Sequence, residues 1–247
     1  MQTAVLDGPG SGDERRAALR AAVAHRLARA DDATAPQLVL APEATAEAGR
    51  LAADLRPGDD DPDARLLLAR FHGYRFLALR PGGAQEWSTA IELLTAVFDS
   101  ARVSELHLPV VADHVFAVAA DITILRDLSD FDIGSLTAAV GLWRKILAAT
   151  PAGHLQRTPR LGTFGFVLAA RYEHSGVPAD LDEAVDACRR AVPASTAAHP
   201  DGTEWIKDSP VDYIDRGIWL NALGNFLRIR SLRTGAPADP SSLPVLL

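Results

Sequence analysis

One short pattern occurs twice in this chain, and it constrains the fold more than any other feature. Gly-x-Pro-Ala-Asp stands at 176–180 and again at 235–239, and the residues before the copies match in register over 161–180 and 220–239. The two copies are 59 residues apart. In repeat proteins each repeat is one supersecondary unit that buries its apolar face against its neighbours. The chain is therefore predicted to be a repeat protein.

Weaker copies precede these two. The segment 136–154 matches 181–199 at a separation of 45 residues, and a fainter copy covers 70–98. Two N-terminal helices are expected at roughly 13–30 and 42–56 from the spacing of their apolar residues. Abundant Ala and Leu, with only 6% aromatic residues, favour helix over sheet. These features predict an all-α fold with at least nine helices and no sheet of three or more strands.

Each repeat is predicted to be a pair of helices with a stop signal between them. Gly176 is expected to end the first helix in the left-handed conformation, and Pro178 prevents its continuation. Asp180 is then expected to be the N-cap of the second helix, with Glu183 completing a capping box. A small residue in each first helix is expected to let the second helix approach closely; these are Gly73, Ala120, Gly165 and Gly224.

The last repeat is predicted to be incomplete. Asp239 can still cap a helix, but Pro244 lies too deep in the first turn, so the final second helix cannot form. The apolar side of the last helix then needs another cover. We expect the tail 241–247 or the insertion 200–217 to supply it, with a homodimer as the alternative. The residues concerned are Ile218, Leu220, Leu223 and Leu227.

The repeat pattern, Leu-x-x-Leu-Gly-x-x-Leu followed by Gly-x-Pro-Ala-Asp-Leu-Asp-Glu-Ala, resembles the tetratricopeptide-like repeats of actinobacterial proteins, which often accompany CHAT domains. Residues 161–184 and 220–239 carry most of the resemblance, and 116–154 carries part of it. The resemblance implies a right-handed superhelix, or solenoid, of antiparallel helix pairs over a single domain, 1–247. It implies a binding scaffold and supplies no active site. Residues 1–12 are expected to form a flexible N-terminal tail.

Composition narrows the function classes. The net charge of −7 lacks the basic balance of a nucleic-acid-binding protein. Cys188 is the only cysteine, so neither an intramolecular disulfide nor a cysteine-based zinc cluster is available. No stretch approaches the run of about 18 apolar residues that a spanning helix needs. We expect a cytoplasmic protein with no cofactor, no metal, and no nucleic-acid or membrane partner.

The concave face of the first helices is the expected ligand surface of such a solenoid. The residues predicted to line this surface are a mixed polar set, which suits a protein or peptide partner, or a small polar ligand. Register with standard repeats gives the groove residues Arg70, Tyr74, His114, Asp121, Phe166, Asn221, Asn225 and Arg228.

The spacing of the last two repeats exceeds that of the preceding ones by 14 residues, which fall within 200–217. Long irregular loops in regular arrays are commonly functional, and Trp205 and Tyr213 give this insertion anchor-type side chains. The alternative interpretation is a surface excursion that covers the last helix.

Two other functions stay open at this point. One is an enzyme with a small-molecule pocket under the 200–217 insertion and with His114, Asp121 and Arg228 as acid–base groups. The other is an oligomerisation module whose unfinished repeat is completed by a second chain. Of the three hypotheses, the sequence favours the non-enzymatic scaffold.

Several remaining features have structural interpretations. The acidic run 58–65 is expected to be a solvated linker, and Cys188 a packed core thiol. The seven histidines show no metal-binding spacing, and His154 is expected to have a structural role in a loop. Three arginines recur in register and are expected to pair with helix carbonyls and with the Asp180-type carboxylate, although a ladder for an acidic ligand is the alternative. They are Arg126, Arg171 and Arg230.

Overall fold

The computed structural model describes residues 9–33, 37–55, 60–79, 82–124, 128, 131–198 and 216–235. Within these residues there are ten α-helices and no strand. The predicted all-α fold is therefore confirmed for this part of the chain. The molecule divides into two compact units, Met1–Ser104 and Glu105–Leu247, each with its own packing.

The first unit contains five helices. Their bounds are α1 Pro9–Ala33, α2 Gln37–Leu40, α3 Pro42–Asp54, α4 Pro62–Ala78 and α5 Ala84–Phe98. Helix α1 begins inside the predicted N-terminal tail 1–12, because proline is favourable in a first helical turn and its missing N–H has no helical partner there. The N-terminal pair expected at roughly 13–30 and 42–56 corresponds to α1 and α3.

The core of the first unit lies between α1, α2, α3 and α4, and α5 packs against α4. Leu27, Leu51 and Phe71 are buried in this core. The acidic run 58–65 is only partly the predicted linker. Asp61 is 6% exposed and caps α4, where its carboxylate accepts the N–H of Ala64 at 3.0 Å. The cap gives a partner to a helical N–H that would otherwise have none, and this hydrogen bond compensates the burial of the carboxylate.

The second unit begins with a 3₁₀ turn, Glu105–His107, that leads directly into a helix. Its five helices are α6 Leu108–Ile124, α7 Ile133–Ala148, α8 Arg157–Ser175, α9 Pro178–Ala198 and α10 Arg216–Thr234. Helices α7, α8, α9 and α10 pack in succession along the chain. The indole of Trp143 is fully buried and lies edge-on to Phe116, with 5.9 Å between the ring centroids.

The two copies of the repeat end their first helices in the same way. Gly176 follows α8 with a φ of 67°, and Gly235 follows α10 with a φ of 66°. Each donates its N–H to the carbonyl four residues earlier, at 2.7 Å to Tyr172 and 2.9 Å to Ser231. Glycine adopts this left-handed conformation without the steric cost that a Cβ atom imposes. The predicted helix stop is confirmed at both positions.

The predicted close approach of paired helices is confirmed at Gly165, and no such contact is found at Gly224 among the described residues. A Cβ atom added at Gly165 would lie 2.8 Å from the Sγ of Cys188 and 3.3 Å from the carbonyl oxygen of Ala184. A Cβ atom added at Gly224 would meet nothing within 4 Å. The contact at Gly165 comes from α9, the second helix of its repeat, whereas the residues that follow Gly235 lie outside the described residues.

Asp180 is not the N-cap that the sequence predicted. Helix α9 begins two residues earlier, at Pro178, so Asp180 lies in the first turn. Its carboxylate is instead held by Arg171 at the end of α8, with Nε to Oδ2 at 2.8 Å and Nη2 to Oδ1 at 2.5 Å. The Asp180 carboxylate pairs with Arg171 and does not cap the helix, because the guanidinium offers it two parallel charged donors. The structural interpretation of Arg171 is confirmed, and the capping box with Glu183 is wrong.

The first two turns of α9 contact three other helices of the second unit. We call Asp180, Asp182 and Glu183 the acidic turn. Arg144 of α7 donates to Glu183 at 2.6 Å, and Arg230 of α10 lies 3.8 Å from Asp182. With Arg171 of α8, arginines from three helices therefore meet one turn. Acidic residues at a helix N-terminus are also favoured by the helix dipole.

Candidate functional site

Three of the exposed predicted groove residues lie on α10. Asn221, Asn225 and Arg228 are all exposed, and Leu232 is 73% exposed. Their spacing of four, three and four residues puts them on one face of the helix, which we call the α10 stripe. Arg228 donates to Oδ1 of Asn225 at 3.1 Å and forms no ion pair with any described residue. The stripe thus presents to solvent amide groups, an apolar side chain and a cation that no described carboxylate compensates.

Phe166, another predicted groove residue, connects this stripe to the rest of the unit. It lies on α8, is half-buried, and meets Phe226 of α10 edge-on with 6.2 Å between the ring centroids. Phe226 is buried, and it lies on the side of α10 that faces away from the stripe. The aromatic pair therefore fixes how α10 lies on α8.

The predicted residues on α6 are His114, which is exposed, and Asp121, which is half-buried. They are seven residues apart and share one side of the helix. His114 has no hydrogen-bond or ion-pair partner among the described residues, and it therefore forms no acid–base pair with Asp121 or Arg228 there.

The remaining groove residues, Arg70 and Tyr74, belong to the first unit. Both lie on α4 and are half-buried, and Tyr74 packs against the core of that unit. The predicted groove set is thus divided between the two units, with six of its eight residues in the second.

Two clusters that combine a histidine, a carboxylate and an arginine lie outside the predicted groove. In the first unit, Nδ1 of His72 lies 2.6 Å from Oε2 of Glu86, and Nε of Arg75 donates to Oε1 at 2.7 Å. Arg75 also donates to the Val39 carbonyl at 3.0 Å and to the Thr45 hydroxyl at 2.9 Å. This network joins α5 to α4 and α4 to the α2–α3 region.

The pKa of Glu86 lies below its ordinary value. Burial raises this pKa, but the hydrogen bonds and charges of His72 and Arg75 together outweigh the burial. Glu86 is therefore an ionised carboxylate near neutral pH and can only accept hydrogen bonds.

This depressed pKa gives a prediction for acid stability. A carboxyl whose pKa is lower when folded stabilises the native state above its unfolded pKa of about 4.3, and the stabilisation disappears as the pH falls through the folded pKa. We expect Glu86→Gln to cost about 1–3 kcal/mol at neutral pH and progressively less below about pH 4. Denaturant titrations across this range measure the difference.

The matched control is Glu92→Gln, because Glu92 is exposed on the same helix and has no partner among the described residues. Its cost is expected to stay within about 0.5 kcal/mol at every pH. A cost of Glu86→Gln that does not change between neutral and acid pH would contradict the assignment.

The second cluster contains the only fully buried arginine among the described residues, Arg160. Its guanidinium pairs with Asp113, donates to the Thr150 hydroxyl at 2.5 Å, and lies 4.8 Å from the centroid of the Phe116 ring. His154 contributes a longer contact, 3.3 Å from Nε2 to Asp113 Oδ1. Burial lowers the pKa of Arg160, and the hydrogen bond and charge of Asp113 oppose that change. The cluster secures α6 to the beginning of α8.

Neither cluster was predicted from the sequence, apart from the structural role of His154. Arg160 and Asp113 are 47 positions apart, and no local spacing joins them. One signal was present in the sequence of α8: its first turns carry Arg157 and Arg160 and no acid, against the preference of the helix dipole. Such a placement indicates that the arginines have tertiary partners.

The lone cysteine is a core residue, as predicted. Cys188 is fully buried against Gly165, and burial raises the pKa of its thiol to about 12. A thiol with this pKa is almost entirely protonated at neutral pH and is not a nucleophile.

Several predicted features lie outside the described residues. These are the insertion anchors Trp205 and Tyr213, residues 200–215 of the insertion, Arg126, His199, Asp239 and the tail 241–247. The last two residues of the predicted insertion belong to α10. Leu223 and Leu227, two of the residues expected to need a cover, are buried, and α10 packs against α8 and α9.

Among the described residues, no group of three or more histidine, cysteine or acidic side chains is arranged to hold a metal ion. One segment, Glu105–Thr123, is long and apolar enough to cross a membrane by length and composition alone, and 39% of it is buried. A core helix of a globular protein meets the same criteria, so this segment is weak support for a membrane span.

No protein-family model, curated protein or solved structure matches the chain.

Proposed function

We propose that the chain is a non-enzymatic binding scaffold made of tetratricopeptide-like helix pairs, and that it recognises a protein or peptide partner through the α10 stripe. The observation that carries the proposal is the stripe itself. Asn221, Asn225 and Arg228 are exposed on one face, and Arg228 has no ion-pair partner among the described residues. Interfaces are commonly enriched in arginine, and amide groups hydrogen-bond readily to an extended peptide backbone.

The repeat pattern supports the scaffold part of the proposal. Gly176 and Gly235 end α8 and α10 with nearly the same φ, as two units of one repeat would. Helices α7 to α10 pack in succession, which is the neighbour-to-neighbour packing of a solenoid. On this basis we propose a right-handed superhelix of antiparallel helix pairs, a cytoplasmic location, and an actinobacterial type of repeat.

The stripe also restricts the chemistry of the partner. Arg228, which pairs with no carboxylate of the described residues, lies beside two asparagines and an exposed leucine, and this set favours a segment with an acidic residue, free backbone groups and an apolar side chain. A basic segment would bring like charges together at Arg228. The proposed partner is therefore a peptide segment of acidic and apolar character.

The proposal predicts the behaviour of two variants. Peptides selected on the intact chain from a displayed random library are expected to bind Asn225→Ala or Arg228→Ala about tenfold more weakly, since each change removes one interfacial polar contact. The melting temperature is expected to stay nearly unchanged, because both side chains are exposed. Titration calorimetry and thermal unfolding measure the two quantities.

Arg190→Ala is the matched control, because Arg190 is an exposed arginine on α9 with no partner among the described residues. It is expected to leave peptide affinity unchanged. Equal losses of peptide affinity in Arg190→Ala and Arg228→Ala would mean that the effect comes from the net charge of the protein and not from a contact at the stripe. A loss of fold in the Arg228 or Asn225 variants would show that these residues are structural.

A further inference from the structure

His72 has a free ring nitrogen that the proposed binding function does not use. Its Nδ1 contacts Glu86, whereas its Nε2 has no partner among the described residues. The side chain is 24% exposed, so solvent or a small molecule can reach it.

The carboxylate of Glu86 fixes which nitrogen carries the proton. An ionised carboxylate only accepts hydrogen bonds, so Nδ1 of His72 must be the donor across the 2.6 Å contact. In the neutral ring the proton then sits on Nδ1, and the lone pair of Nε2 is available. Arg75 holds Glu86 from its other oxygen and is itself bonded to Val39 and Thr45, so the carboxylate cannot easily turn away.

The second cluster provides a comparison within the same chain. Nδ1 of His154 accepts the N–H of Gln156 at 3.2 Å, and Nε2 faces Asp113. Both ring nitrogens of His154 are therefore engaged, and this histidine has no lone pair to offer. The same three residue types form a closed structural cluster in one unit and an open one in the other.

We propose that His72 is a ligand-binding site, in which Nε2 accepts a hydrogen bond from a hydroxyl or thiol group of a small neutral ligand. A neutral imidazole nitrogen is an acceptor and does not attract anions, and the ionised Glu86 behind the ring further disfavours them. The carboxylate also holds the ring in one orientation through its contact with Nδ1. Glu86 and Arg75 are positioning residues in this site, and His72 is the residue that contacts the ligand.

The chemistry of Nε2 can be probed with diethyl pyrocarbonate. The lone pair of an unprotonated ring nitrogen attacks a carbonyl carbon of the reagent, a nitrogen–carbon bond forms, and the bond from that carbon to the ethyl carbonate leaving group breaks. Mass spectrometry of proteolytic peptides gives the rate at each histidine. We expect His72 to react faster than His154, and faster than His25, which is exposed and has no carboxylate partner in the described part of the chain.

The role of the carboxylate is tested by Glu86→Gln, with Glu92→Gln as the control on the same helix. Glu86→Gln is expected to slow the reaction of His72 relative to His25 by about tenfold, because the glutamine no longer holds the ring with its proton on Nδ1. Glu86→Asp, which keeps the charge, is expected to restore part of the rate. Taking the ratio to His25 in the same sample removes general effects of the substitution.

The ligand class is tested by protection with phenol, which has a hydroxyl proton, and with its methyl ether anisole, which lacks one. We expect phenol to slow the modification of His72 and anisole to leave it unchanged. Nitrogen-15 spectra of the ring are expected to show the proton on Nδ1. A proton on Nε2, equal protection by both compounds, an unchanged rate in Glu86→Gln, or protection by Zn²⁺ in place of phenol would overturn the proposal.

Discussion

Replacing Arg171 with alanine is expected to lower the free energy of unfolding by about 3–5 kcal/mol, because it leaves the Asp180 carboxylate buried without its counter-charge. The side chains of Arg171 and Asp180 are 15% and 6% exposed. A loss of this size is a large fraction of the roughly 5–15 kcal/mol by which a domain is usually stable. Denaturant unfolding followed by circular dichroism measures it.

The control is another arginine that pairs with the acidic turn. Arg144 and Glu183 are 52% and 39% exposed, so Arg144→Ala is expected to cost less than about 1 kcal/mol. The double variant Arg171→Ala with Asp180→Ala is expected to cost less than the sum of its single changes, because no unpaired charge then remains. Equal costs for Arg171→Ala and Arg144→Ala would mean that burial of the pair does not matter.

The second large effect concerns the two glycines at the same repeat position. Gly165→Val is expected to cost about 2–4 kcal/mol, because its side chain would collide with Cys188 and with the backbone of α9. Gly224→Val is expected to stay within about 0.5 kcal/mol of the original protein, since a Cβ there meets nothing within 4 Å. Thermal and denaturant unfolding compare the two.

A compensating change tests the contact itself. Gly165→Ala adds only the Cβ, which would lie 2.8 Å from the Cys188 sulfur, and Cys188→Ala removes that sulfur. The double variant is expected to be more stable than the sum of the two single changes predicts. Strict additivity, or equal costs of valine at positions 165 and 224, would contradict the close approach of α8 and α9.

Local signals in the sequence were sufficient for the helices and their ends. The left-handed glycines, Gly176 and Gly235, follow from the absence of a Cβ atom and from the proline two residues later. Packing at Gly165 was predicted from its register with the other small residues. The same reasoning did not give a contact at Gly224, because register places a glycine along its own helix but does not tell which atoms pack against it.

Tertiary pairing could not be predicted from spacing alone. Asp180 has the sequence context of an N-cap. Whether its carboxylate caps a helix or pairs with Arg171 depends on the position of the Arg171 guanidinium in the folded chain. Glu86, 14 positions from His72, and Asp113, 47 positions from Arg160, carry no local pattern that links them to those partners. The α10 stripe was different, because the spacing of Asn221, Asn225 and Arg228 already placed them on one helix face.

The central claim is that the chain binds a peptide segment on the α10 stripe, and site-specific photo-crosslinking tests it most directly. The crosslinking amino acid p-benzoylphenylalanine is placed at Asn221, one turn from Asn225, or at Arg190 on α9, and library-selected peptide is added before irradiation. We expect a covalent adduct with the peptide at Asn221 and none at Arg190. Adducts at Arg190 alone, or equal adducts at both positions, would contradict binding on the stripe.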